Sequence, residues 1–174
     1  MELVKKRTGI EAKFFEICSS VVQENEFILY DMEYISASST LRVFIMNEET
    51  KTADIDECVK VTRAMNPFFD EEAESAQPWI PNDIVLEVSS PGMFRALKSI
   101  EHFELAMNQR IQCSITGKLD ESLIQEAPKS VKKGSALIGK LIKIEENNII
   151  LEIDGFNLPL TFDQLKKVNL EPEV

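Results

Sequence analysis

Between Ala136 and Leu160 the chain carries the pattern that most restricts its fold. Ala136, Ile138 and, after Gly139, Leu141 and Ile144 mark one strand. Asn147-Asn148 turns it, Ile149, Leu151 and Ile153 run back, and Asp154-Gly155 turns the chain again into Phe156, Leu158 and Leu160. Asn-Asn and Asp-Gly favour the left-handed dihedrals of two-residue hairpin turns, so three consecutive antiparallel strands follow. Ile111, Cys113 and Ile115 alternate upstream, and Val168 and Leu170 close the series. Five short strands at this spacing predict a small barrel, because closure removes the unpaired edges of a meander.

The first half of the chain reads differently. Apolar residues at Ile10, Phe14, Ile17, Cys18, Val21 and Val22 follow the stripe of an amphipathic helix. Thr8 with Glu11 offers it a capping box. Ile28 to Tyr34 and Leu41 to Ile45 alternate on either side of Ala37-Ser38-Ser39-Thr40, which predicts an antiparallel hairpin. Asp54 and Glu57 make a second capping box, opening a helix with Ile55, Cys58, Val59, Thr62 and Met65 on one face; Pro67 is expected to terminate it. The acidic run Asp70 to Glu74 reads as a solvated loop. Ile84 to Val88 is a third strand. The expected fold class is therefore α+β: two helices on a three-stranded sheet, followed by the barrel. The division expected is residues 1–93 as the N-terminal α+β domain, 94–108 as a connecting segment with a short helix capped by Ser99, and 109–174 as the barrel. Asn108 supplies the left-handed stop to that helix.

Where the third strand ends, Leu86-Glu87-Val88 runs into Ser89-Ser90-Pro91-Gly92, with Arg95 close behind. Proline presets φ and glycine accepts the positive φ of a type II turn, so the chain reverses at its densest cluster of hydroxyls. Charge separates the two halves. Up to Met107 there are 10 Lys+Arg against 20 Asp+Glu, and from Asn108 onward 9 against 10, within a total of −11. So acidic a first half is repelled by phosphate backbones and suits a basic protein partner. No apolar run approaches the ~18 residues of a membrane span, and the charged N-terminus lacks the apolar run of a signal peptide, so a soluble cytoplasmic protein is expected. Cys18, Cys58 and Cys113 are odd in number, widely spaced and set among apolar residues, and read as packed free thiols.

Catalytic constellations are deficient. A hydrolase built on Ser89 or Ser90 lacks the Gly-x-Ser-x-Gly elbow, and its one possible base, His102, reads as a surface or boundary residue. Neither a phosphate-binding loop nor a dinucleotide fingerprint is present. Asp54, Asp56 and Glu57 lack calcium-loop spacing and suit the first turn of a helix anyway. The first half has the element count of a KH-like domain without its Gly-x-x-Gly clamp, and no RRM aromatic signature occurs. Lys129, Lys132, Lys133, Lys140 and Lys143 could contact phosphates or serve only as solubilising charges.

Leu86-Glu87-Val88-Ser89-Ser90-Pro91-Gly92 with Arg95 resembles the central motif of the ribosome maturation factor RimP family. Asp54-Ile55-Asp56-Glu57-Cys58 followed by Val61-Thr62-Arg63 resembles the start of that family's second helix, and Phe103 and the strands to Leu170 are similar too. The resemblance covers nearly the full length. It implies an SH3-like (Sm-type) C-terminal barrel and a non-enzymatic factor that assembles the small (30S) ribosomal subunit. The implied partner is the free subunit, through its RNA and a basic ribosomal protein, with no cofactor, metal, membrane or small-molecule substrate, and the chain is expected to be a monomer. Candidate ribosome-binding or interdomain residues are Arg63, Ser89, Ser90, Pro91, Gly92, Arg95, Lys132, Lys133 and Lys140. Ala96 stands where the family usually has proline, Asn108 where glycine is usual, and the stretch 120–134 is longer than typical. A general RNA-binding or adaptor module is the rival reading.

Overall fold

The structure, a computed structural model, describes residues 1–3, 6–70, 72, 76–134 and 136–173. The acidic run therefore lies largely outside the described residues. The chain divides into two compact units, one of residues 6–92 and one of residues 93–174, against which Met1 and Leu3 also pack.

The first unit opens with α1 (Gly9–Glu24), whose stripe Phe14, Cys18, Val21 and Val22 is buried as the periodicity requires. The predicted capping box is not formed. Thr8 occupies the N-cap position, but its side chain accepts no helix N–H. Glu11 instead takes the Arg7 guanidinium at 2.8 Å, and Arg7 also reaches Asp31 and the Met32 carbonyl. A charge-assisted bond to a partly buried arginine outcompetes a neutral cap.

Strands β1 (Ile28–Ile35) and β2 (Thr40–Met46) pair as the predicted antiparallel hairpin, with Met32 opposite Val43 and Tyr34 opposite Leu41. β3 (Val85–Ser89) lies parallel to β2 on its other side. A parallel partner needs a crossover, supplied by α2 (Ile55–Phe69). Here the capping box is complete: Asp54 accepts the Glu57 N–H at 2.8 Å, and Glu57 accepts the Asp54 N–H at 2.9 Å. Pro67 does not end the helix, which continues to Phe69. The missing N–H and the ring clash fall within the last turn, where little helix remains to disrupt, and Phe68 and Phe69 pack onto the core. Phe14 anchors that core, its ring 4.9 Å from Tyr34 and 5.0 Å from Trp79.

The second unit begins with α3 (Ile100–Leu105), capped by Ser99 as expected, and Asn108 follows at φ 63°. Leu97, Phe103 and Ala106 are buried in the second core. His102, expected at the surface or its boundary, is buried: its Nδ1 accepts the Lys98 N–H at 3.0 Å, which ties the ring to its own helix start.

Strands β4 (Arg110–Ile115), β5 (Ala136–Ile144), β6 (Asn148–Ile153), β7 (Phe156–Thr161) and β8 (Leu165–Leu170) form one antiparallel sheet in the order β7-β6-β5-β4-β8. Among the described residues no ladder joins β7 to β8, so what is seen is a five-stranded sheet without the expected closure. Its edges are managed in other ways. Residues 95–97 run along β8, with Leu97 N–H on the Val168 carbonyl and Leu170 N–H on that of Arg95. β7 carries Pro159, which presents no N–H to a further strand.

The phase of β5 also differs from the reading that placed Ala136 and Ile138 with the apolar face. Leu137, Gly139 and Leu141 face the core, while Ala136, Ile138 and Lys140 are exposed. Alternation runs straight through Gly139, where an added Cβ would meet the Glu152 carbonyl oxygen at 2.6 Å, and slips at a bulge between Leu141 and Lys143. Between β4 and β5, within the long stretch 120–134, Pro128 leads into α4 (Lys129–Lys132), which buries Val131.

Candidate functional site

The Ser-Ser-Pro-Gly turn closes the first unit. β3 delivers Ser89 to solvent, Ser90 and Pro91 are half-buried, and Gly92 adopts φ +84°, the value glycine is needed for at the third position of a type II turn. Arg95 follows in the second unit, half-buried, its carbonyl held by the Leu170 N–H at 3.0 Å.

Acid–base or nucleophilic chemistry finds little support in the groups described. His102 has its Nδ1 lone pair occupied by the Lys98 main-chain N–H. Around Asp54 the carboxylates are already engaged, since Glu57 accepts both the Asp54 N–H and the Asn47 side-chain amide at 2.9 Å. Among the described residues, no group of three His, Cys, Asp or Glu side chains is disposed to hold a metal ion. Burial pushes the Cys18 and Cys113 thiols up to about 12, and raises Cys58 with help from Asp54 and Glu57. All three are protonated and poor nucleophiles near neutrality.

The remaining candidates are cations: Arg63 belongs to the first unit, and Arg95, Lys132, Lys133 and Lys140 belong to the second. Arg63 is exposed on α2, two turns beyond Ile55 and one beyond Val59, and makes no hydrogen bond or ion pair with the described residues. Ile55 is 81% exposed, the most exposed large apolar side chain described. Lys132 ends α4 and donates to the Gln125 carbonyl at 2.7 Å, and Lys133 follows it, exposed.

Lys140 lies elsewhere, on the outward face of β5. Its ladder neighbours are Arg110 of β4 on one side and Glu152 of β6 on the other, and Glu152 stands opposite Asn157 of β7. A second transverse row runs through Asn169, Gln112 and Ile138, and a third through Lys167, Ser114 and Ala136. Arg110, Lys166 and Lys167 are thus exposed cations that the sequence reading missed. Their signal was the parity of β4 and β8: Ile111, Cys113, Val168 and Leu170 point inward, so Arg110 and Lys167 point out.

Among the described residues, no helix is long and apolar enough to cross a membrane. Compared with known protein families, residues 17–94 match the family model for the RimP N-terminal domain, a span running from α1 through the turn at Gly92.

Proposed function

We propose that this chain, which belongs to the RimP family, is a maturation factor of the small ribosomal subunit that binds the free subunit and catalyses no reaction. The observation that carries this reading is the family match over residues 17–94. On it, residues 1–93 form the N-terminal domain, 94–108 a connection, and 109–174 an SH3-like barrel. Five antiparallel strands, with a 3-10 turn at Phe162–Gln164 leading from β7 into β8, are compatible with that barrel type. The protein acts as a monomer in the cytoplasm and takes no cofactor or small-molecule substrate.

The partners are the small-subunit RNA and a basic ribosomal protein. An acidic first half attracts a basic protein and is repelled by bare phosphate, which discourages indiscriminate RNA binding. The residues proposed to meet the subunit, or to set the geometry between domains, are Arg63, Ser89, Ser90, Pro91, Gly92, Arg95, Lys132, Lys133 and Lys140.

Sedimentation of a lysate through a sucrose gradient tests the reading. The protein is expected with free small subunits and absent from assembled ribosomes. Equal distribution over both, or equally tight capture of unrelated RNA with a steep salt dependence, would favour a general RNA-binding module instead.

A further inference from the structure

Charge in the second unit is sorted by secondary structure. From Asn108 onward there are nine Lys+Arg and ten Asp+Glu. Strands β4 to β8 hold five of those cations (Arg110, Lys140, Lys143, Lys166 and Lys167) but one acid, Glu152. The other nine acids lie in turns and loops and at the C-terminal end. A nearly neutral segment therefore carries a basic sheet face with an acidic surround. Lys143 is answered by Glu145 at 2.6 Å, and Arg110 by Glu173 at 3.5 Å, a pair whose carboxylate is 81% exposed and weakly held. Lys140 and Lys167 make no ion pair or hydrogen bond with the described residues.

Arg110 and Lys140 are also directly opposed across the β4–β5 ladder, with Glu152, the one acid of the face, on the far side of Lys140. Like charges so placed lower stability, and a bound anion relieves the repulsion. Between and beside these cations the face presents Gln112, Asn169 and half-exposed Ile138. At its β8 edge, Asn169 Nδ2 donates to the Phe94 carbonyl at 2.9 Å, and Ala96 bridges Asn169. This fixes the backbone of an aromatic residue that is 54% exposed. Cations spaced along a ladder, amide side chains and an edge aromatic are what an RNA strand requires: contacts to phosphates, donors and acceptors for base edges, and a ring for stacking.

We propose that the outward face of the five-stranded sheet, built on Arg110, Lys140 and Lys167 with Phe94 at its edge, is the chain's RNA-binding surface. This rests on the maturation-factor reading for its physiological RNA, but not for its chemistry. Phosphates lie along Arg110–Lys140 and Lys167, and a base stacks on Phe94. The acids in the loops confine the strand to the face.

The test uses the full chain and a short mixed-sequence single-stranded oligoribonucleotide, followed by fluorescence anisotropy across a salt series. Removing two phosphate contacts in K140E/K167E should weaken binding by about tenfold or more and flatten the log K against log salt slope by about 1.4, at ~0.7 per single-strand contact. F94A should weaken binding about tenfold with the slope unchanged, because stacking releases no counterions. K118E/K129E, exposed in the β4–β5 connection and outside the residues proposed to meet the subunit, should change affinity by less than about twofold. Circular dichroism verifies the fold, which these exposed positions should not disturb. No measurable wild-type affinity, an unaltered K140E/K167E, or equal losses in K140E/K167E and K118E/K129E would each overturn the proposal. Co-sedimentation with free subunits is scored in parallel. Subunit binding without oligoribonucleotide binding removes this face and leaves the family role standing; the converse removes the role and leaves the face.

Discussion

Gly139→Ala is the sharpest perturbation the second unit offers. The new Cβ would lie 2.6 Å from the Glu152 carbonyl oxygen and 2.6 Å from Ile153 Cγ1, whereas ordinary contact begins at 3.4 Å. The shortfall of about 0.8 Å cannot be absorbed by a rotamer, since one of the two atoms is backbone of β6. That backbone is held by its ladders to both neighbours, with Lys140 opposite Glu152 and Ile153 opposite Phe156. Overpacking of this kind costs about 1–3 kcal/mol. For a unit the size of residues 93–174, each kcal/mol lowers Tm by about 4–8 °C, so a drop of roughly 4–24 °C is expected. The assay separates the two cores. The one tryptophan, Trp79, and both tyrosines lie in residues 6–92, so intrinsic fluorescence reports the first unit alone. In Gly139→Ala the sheet ellipticity should melt early while the Trp79 transition stays in place. Gly155→Ala is the control. It opens onto free space but sits at φ +77°, so it pays only a conformational penalty of about 1 kcal/mol. A Gly139→Ala protein as stable as wild type, or less affected than Gly155→Ala, would refute the packing argument. Equal shifts in both probes would refute the independence of the units.

Three further outcomes follow. Asp54→Ala removes the acceptor of the Glu57 N–H and should lower first-unit stability by about 0.5–2 kcal/mol, read from Trp79 fluorescence in urea. Burial disfavours the Cys18 and Cys113 thiolates and raises both from 9.0 to about 12, so the unfolded chain releases these protons first as pH rises. Their contribution to stability is intact below pH about 9 and should be lost between pH about 9 and about 12, as denaturation midpoints across that range would reveal. At pH 8 a thiol reagent should find both cysteines silent until the chain is unfolded. Arg63→Glu, exposed and without a partner among the described residues, should leave the Trp79 unfolding midpoint within about 0.5 kcal/mol of wild type while weakening co-sedimentation with free subunits; unchanged co-sedimentation would remove Arg63 from the interface.

Period and turn chemistry made most of the fold legible. The α1 stripe, the first hairpin and the Asp54–Glu57 box are local patterns, and local patterns survive folding when the core agrees with them. The misreadings have a common cause in tertiary partners that no window of sequence displays. Thr8 lost its box to an arginine that ties Glu11 to Asp31, and Pro67 was carried inside a helix whose last residues are wanted by the core. His102 was drawn inward by the short helix it helps to start. The candidate site was legible only as a list of cations. Lys140 was found, but Arg110 and Lys167 were not, because their grouping depends on the order β5-β4-β8, and sequence separation hides that order.

One glycine links the fold to the proposed RNA face. Were the alternation of β5 to slip at Gly139, as the placement of Ala136 and Ile138 with Leu141 required, the residues on either side of it could not both keep their faces. A regular β5 puts Gly139 inward, between Leu137 and Leu141, only because nothing larger than hydrogen fits against Glu152 and Ile153. The same regularity turns Ile138 and Lys140 outward and sets Lys140 beside Arg110. A strained inward position and a repulsive outward pair are thus two consequences of one register, and they should separate on mutation. Gly139→Ala acts on stability through volume, whereas Lys140→Gln removes a like-charge opposition to Arg110 and an attractive one to Glu152 together, and should leave Tm nearly unchanged while weakening RNA binding. A Lys140→Gln protein that lost stability along with affinity would mean that the cation serves the sheet and not a ligand.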